Sequence, residues 1–393
     1  MKMPTWTKPA IFFAGPGLAL ALAAGCSDNN KLTPSAPTPS PDASSAQTTP
    51  CTAMPGQFPA ANCDNSTNQC TGGGCAINEA TCGSASTCLP MSDNTGKPTI
   101  DLRMRRLNVA SPAALAANAI QLLIVDQGIN LNKVCGESGD GSFNWLLRVD
   151  KAAGTLTTGG APPSADPFGA GFCFAKTTSM QALSVAPVTV GVTFAGNTFT
   201  SAAIPKLNVP IFVNGDRTQL VVLPLSNATL KDVTLSADNN CVGAFNAQAL
   251  DSTCHDQREV CSRWHTAGSL GGYITLEEAD RVPIVTLGGK SLCTFLTGMT
   301  DASGQRCPRD ATNKITFQGD FCSTTNTAGG CADSAWLAAT FAASAVKIDD
   351  ASSDPLCTGS SSSSDAGADA SDAGAGDSGA ATTDASSADA TAE

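Results

Sequence analysis

The sequence predicts a mostly β, α+β protein. A disulfide-braced, β-sandwich-like domain with a few helices follows a small cysteine-rich module. Three observations predict it. Short runs of alternating apolar and polar residues recur between turn residues, the period of half-buried strands. Seventeen cysteines occur in 393 residues, a usage that belongs to an oxidising compartment. Helical spacing is confined to a few short stretches.

At the amino terminus, Lys2 and Lys8 precede an apolar run from Ala10 to Ala24. A basic start and a short apolar core are the layout of an export signal. The run is interrupted by Gly15-Pro16-Gly17 and falls short of the roughly 20 residues a spanning helix needs. It ends on Leu22-Ala23-Ala24-Gly25-Cys26, and polar sequence begins at Ser27. This stretch resembles the lipobox of bacterial lipoproteins. Leu22 stands one place further from the cysteine than in the commonest form of that motif; Ala23 occupies the usual position. The resemblance implies loss of a signal peptide over 1–25 and a diacylglycerol on the Cys26 thiol. It implies a fatty-acyl group such as palmitate on the new amino end, and hence a membrane partner. It implies the bacterial cell envelope as location, with Ser27 favouring the outer membrane, facing periplasm or surface. It says nothing of the chain beyond Asn30. An ordinary cleaved signal, with Cys26 as one more cysteine, is the plainer alternative.

The cysteine count agrees with lipidation. Removing Cys26 leaves sixteen, which can pair completely. Six cluster at Cys51, Cys63, Cys70, Cys75, Cys82 and Cys88. Ten are spread over Cys135, Cys173, Cys241, Cys254, Cys261, Cys293, Cys307, Cys322, Cys331 and Cys357. Each set is expected to close on itself, with the connectivity inside each left open. No C-x-x-C occurs and the chain has only two histidines. Zinc-ribbon spacing and thioredoxin-like motifs are therefore missing, and no metal or cofactor is expected.

Composition sets the boundaries. Residues 26–50 are rich in Ser, Thr, Pro and Ala and read as a disordered tether. Residues 51–92 contain few large apolar side chains and need staples to fold. Residues 97–357 form the β-rich extracytoplasmic domain. Residues 358–393 hold six aspartates, Glu393 and no base, the composition of a disordered acidic tail.

Within 97–357 the elements follow from pattern. Val188, Val190, Val192 and Phe194 alternate with polar or small residues, and Ala195-Gly196-Asn197 turns the chain toward Phe199. Phe212-Val213, Asn214-Gly215 and Leu220–Leu223 predict a hairpin. Phe143–Val149 and Lys314–Phe317 are further strand candidates. Ser111-Pro112 predicts a helix start, with Ile120 and Leu123 on one face and Gly128 as the stop. Thr275-Leu276-Glu277-Glu278 predicts a capping box. Ala335–Ile348 is open: its alanines and the Leu337/Phe341/Ile348 spacing suit a helix, its place near the end of a β domain a strand.

Candidate chemistry is sparse. His255, Asp256 and His265, with Glu259 and Trp264, fall in one loop between and just beyond Cys254 and Cys261. These side-chain types suit a general base or a metal ligand, yet no H-E-x-x-H spacing accompanies them, and a polar cystine-pinned loop explains them as well. Trp264 is the aromatic most suited to a glycan. Ser138, in Cys135-Gly136-Glu137-Ser138-Gly139-Asp140, departs from the serine context of trypsin-like proteases, whose histidine lies upstream. Ser269, in Ala267-Gly268-Ser269-Leu270-Gly271, loosely resembles a nucleophile elbow, but no histidine follows it. Gly288-Gly289-Lys290-Ser291 lacks the first glycine of a P-loop and reads as a turn. Asp64–Asn68 has some calcium-loop spacing, but Gln69 stands where glycine is required. Arg103-Met104-Arg105-Arg106 is the sole basic cluster; it suits an anionic headgroup or sugar, and a charged edge strand, the commoner case, explains it as well. Net charge of −12 argues against a nucleic-acid partner.

The function expected is noncatalytic: binding or scaffolding at the cell envelope, toward an envelope or extracellular ligand that the sequence does not identify. The alternative is an extracellular hydrolase, for example a carboxylate-based polysaccharide hydrolase, since its acids need not be close in sequence.

Overall fold

A computed structural model describes residues 51–64, 88–117, 120–131, 139–179, 183–250, 252–253, 262–285, 288–316, 318–324 and 331–359. The lipobox with Cys26, the tether and the tail beyond Gly359 lie outside them, as do Cys70, Cys75, Cys82, Cys135, Ser138, Cys254, His255, Asp256, Glu259 and Cys261.

The fold is mostly β. Eleven strands share one curled antiparallel sheet. In chain order they are β1 (Thr99–Ser111), β2 (Asn144–Asp150), β3 (Thr155–Ala161), β4 (Val188–Ala195), β5 (Thr198–Ser201), β6 (Ile204–Phe212), β7 (Leu220–Lys231), β8 (Val233–Thr234), β9 (Cys241–Val242), β10 (Gly268–Thr275) and β11 (Ser334–Ala345). Across the sheet the order is β8-β5-β4-β3-β2-β1-β11-β10-β7-β6, and β9 also pairs with β11. The last strand thus enters between the first and β10 and joins the two halves.

The halves face each other as in a sandwich. Leu102, Trp145 and Leu156 from one half meet Leu207, Val222 and Leu270 from the other in a single core. Close approach is made possible at Gly160 of β3. A Cβ there would lie 2.2 Å from Cδ of Pro210 on β6, the terminal strand of the opposite half. Only a residue without a side chain fits such a contact.

Several expected elements form. The alternating run is β4, with strictly alternating burial, and Gly196 turns it into β5 with φ +63°. The 212–223 hairpin joins β6 to β7 through a 3-10 turn at Val213–Gly215. Thr275 caps the short helix Leu276–Ala279, accepting the Glu278 N–H while its own hydroxyl donates to the Glu278 carboxylate. Other expectations are corrected. Helix 112–128 is broken: Ala113–Ala116 is one turn, and Gln121–Asp126 is π-helical before Gln127–Ile129. Of Lys314–Phe317, residues 314–316 make one isolated bridge, Arg309 to Ile315, because the preceding loop folds around Asp310 rather than extending, and Phe317 lies outside the described residues. Ala335–Ile348 resolves as strand β11, buried along its whole length.

The basic cluster is also corrected. β1 is central, between β2 and β11. A bulge between Met104 and Arg106 inserts one extra residue, which switches the core-facing set from Ile100, Leu102 and Met104 to Leu107 and Val109. The arginines therefore fall on the outer face, and that face is covered. Arg103 and Arg105 are fully buried. Arg103 donates to Asn144 and lies over Phe172; Arg105 reaches the Leu89 carbonyl and lies over Trp264. Arg106 pairs with Asp126.

The cover comes partly from the cysteine-rich segment. Phe58 packs edge-on against Trp336 of β11, and Cys88 with Leu89 joins a cluster around Phe245 and Trp264. The expectation that the two cysteine sets close separately is corrected at Cys88, which bonds to Cys241 in the other set. The reason is packing: 88–94 lies along the outer face, where Ser344 donates to the Cys88 carbonyl and Asn240 accepts the Asn94 N–H. The remaining described bridges stay within their sets: Cys51–Cys63, Cys173–Cys357, Cys293–Cys307 and Cys322–Cys331.

Candidate functional site: an apolar pocket

The sequence placed chemistry in the histidine loop. His265 pairs with Ala244 in a two-residue ladder and is half-buried beneath the Cys51–Cys63 loop, where neighbouring Thr266 donates to the Cys63 carbonyl. Burial lowers its pKa, and the Asp64 carboxylate opposes the shift. Trp264 is 2 % exposed, edge-on to Phe245 and beneath Arg105, so it forms no glycan platform. Ser269 is the second residue of strand β10, donating its hydroxyl to the Lys231 carbonyl, not on a strand-to-helix elbow. Gly288 and Gly289 make a turn with positive φ before the paired residues Lys290–Ser291.

A different place has the shape of a site. An apolar pocket of about 250 Å³ opens at the end of the sheet where β1, β6 and β7 meet. Leu107 and Val109 of β1, Ile211 of β6 and Val222 of β7 contribute to its wall. Ile124 and Phe295 contribute from two short helical segments.

Each segment is held in place by identifiable contacts. Gln121 is buried and uses its amide as a strand would: Oε1 accepts the Val109 N–H and Nε2 donates to the Leu107 carbonyl. Nε2 also donates to Asp126, which pairs with Arg106. These bonds fix the 121–129 segment across the end of β1. Gly128 allows close contact with β2's approach; a Cβ there would be 3.2 Å from Cβ of Phe143. Ser291 caps helix Leu292–Thr297 by accepting the Thr294 N–H, and its hydroxyl donates to Asp280. Leu292 and Phe295, three positions apart, then share one face toward the pocket.

The rim is polar on one side. Gln127 and Asp140, both exposed, line it, and the buried Ser142 adjoins Asp140. Asp140 is exposed; its Oδ1 accepts the Ser142 N–H at 3.0 Å. No lysine, arginine, histidine or cysteine is among the described lining residues. Nothing in the sequence pointed to this pocket, because its wall is assembled from segments spread between Leu107 and Leu337.

A second, polar cleft lies between Lys97, Asp101, Arg148, Asp150, Thr157 and Asp350. Arg148 donates to Asp101 at 2.7 Å and to Asp350 at 2.6 Å. The bond to Asp101 chiefly raises the Arg148 pKa, against the effect of burial. These two acids serve a shared guanidinium. Three groups with ligand-type atoms also occur, around Cys173/Cys357, Cys293/Cys307 and Cys322/Cys331. In each the two sulfurs are bonded to one another, so neither is the thiolate a metal requires.

Among the described residues, no helix is long and apolar enough to cross a membrane. No known protein family, no curated protein and no solved structure matches the chain.

Proposed function

We propose that the chain is an exported, lipid-anchored envelope protein that acts without catalysis, by holding a small apolar molecule. The pocket carries this reading. Its wall is apolar, it connects to solvent through a polar rim, and it has the few convergent polar groups typical of a ligand site. An apolar cavity of ~150 Å³ suffices for benzene; one of about 250 Å³ accommodates a larger aliphatic molecule. The lipobox-like stretch and the disulfides support the location.

Titration of the full processed protein with naphthalene, an uncharged ten-carbon fluorophore, tests the binding half. Saturable one-to-one binding is expected, and Ile124→Trp, which fills the pocket, should weaken it at least tenfold with the circular dichroism unchanged. Absence of binding, or equal binding by the filled variant, overturns the reading. Intact mass of envelope-extracted protein tests the anchor; a product without acyl mass on Cys26 overturns that half.

A further inference from the structure

The charge at the pocket's rim narrows the ligand. Asp140 lines the opening and is exposed. Its Oδ1 is engaged by the Ser142 N–H, while Oδ2 has no partner among the described residues. Ser142 and Gln127 add a hydroxyl and an amide beside it. No cation is among the described residues that line the pocket. A fatty-acid carboxylate or a phosphate seated there would meet a like charge with no compensating base among the described residues. A head that donates hydrogen bonds meets an acceptor instead, and a protonated amine also gains charge attraction.

We infer that the pocket selects aliphatic amines and alcohols over acids: a chain of about ten carbons, by scaling from benzene in a ~150 Å³ cavity, with its donor head at Asp140. This rests on the binding function proposed above and assigns that site its ligand class. Nothing covalent is involved; Asp140 recognises and the apolar wall holds.

Decylamine, 1-decanol and decanoate, each below its micellar concentration, are compared as displacers of naphthalene from the full protein at pH 7 and low salt. Decylamine is expected to bind at least tenfold tighter than decanoate, with 1-decanol between. Raising salt to 0.5 M should compress the spread, since the charge contribution is screened. Asp140→Asn should bring decanoate within threefold of decylamine while leaving 1-decanol nearly unchanged. If decanoate equals or exceeds decylamine, or if Asp140→Asn leaves their ratio intact, the ligand class is wrong while binding itself stands. If none of the three displaces the probe, the binding function falls and the ligand class with it.

Discussion

Cys88 and Cys241 are 153 positions apart in sequence and bonded to each other, with their Cα atoms 5.6 Å apart. The bridge fastens the cysteine-rich segment to the strand β9, which pairs with the central strand β11. A loop of this length is strongly restrained in the unfolded chain by its closure. The double variant Cys88→Ser/Cys241→Ser should therefore lose about 2–5 kcal/mol. Chemical denaturation measures it; an unshifted midpoint would show that the covering segment holds by packing alone.

Arg106 and Asp126 form a pair whose acid side chain is 1 % exposed. Removing only the cation leaves a buried carboxylate whose remaining partner is Gln121. Arg106→Met should cost about 3–5 kcal/mol. Adding Asp126→Leu should return at least half of that, because the stranded charge is gone. The double-mutant cycle sinks this account if the second substitution deepens the loss.

Burial holds His265 neutral below its ordinary pKa of 6.5, against the pull of Asp64. The unfolded chain then takes up this proton first as pH falls. The stability owed to His265 is present above about pH 6.5 and is lost as pH drops through the folded value. Thermal unfolding between pH 7.5 and 5 should show a declining midpoint whose slope is reduced in His265→Gln. An unchanged slope in that variant would assign the decline to other groups.

Gly160 meets Pro210 where β3 and β6 cross. Gly160→Ala places a methyl group into the proline ring and should cost about 1–3 kcal/mol as overpacking. Gly196→Ala is the control, since a Cβ there meets nothing within 4 Å; its φ of +63° confines the cost to local backbone strain. Equal losses at both positions would mean that the crossing contact contributes nothing beyond backbone strain.

The strands legible in the sequence were those with one wet face. Val188 to Phe194 alternates because one side of β4 meets solvent and the other the core. β11 hid its nature because neither side is wet. Leu337, Ala339 and Phe341 face the core, while Trp336, Ala338 and Ala342 face the covering segments. The apolar run then carries no period of two. Arg103 to Arg106 misled for the opposite reason: charge suggests exposure, but Asn144, Phe172, Leu89 and Trp264, distant in sequence, enclose the guanidinium groups. The capping box at Thr275 was legible because its contacts lie within four residues. The pocket was not, because its wall draws on non-neighbouring segments.

Pro210 has one more effect. A curled sheet whose two terminal strands do not pair with each other keeps two border strands. One is the two-residue strand β8, too brief to template a neighbour. The other is β6, nine residues long, where Pro205 and Pro210 each remove an amide donor. Copies gathered side by side on a surface would find no continuous ladder to extend, so crowding need not end in fibrils.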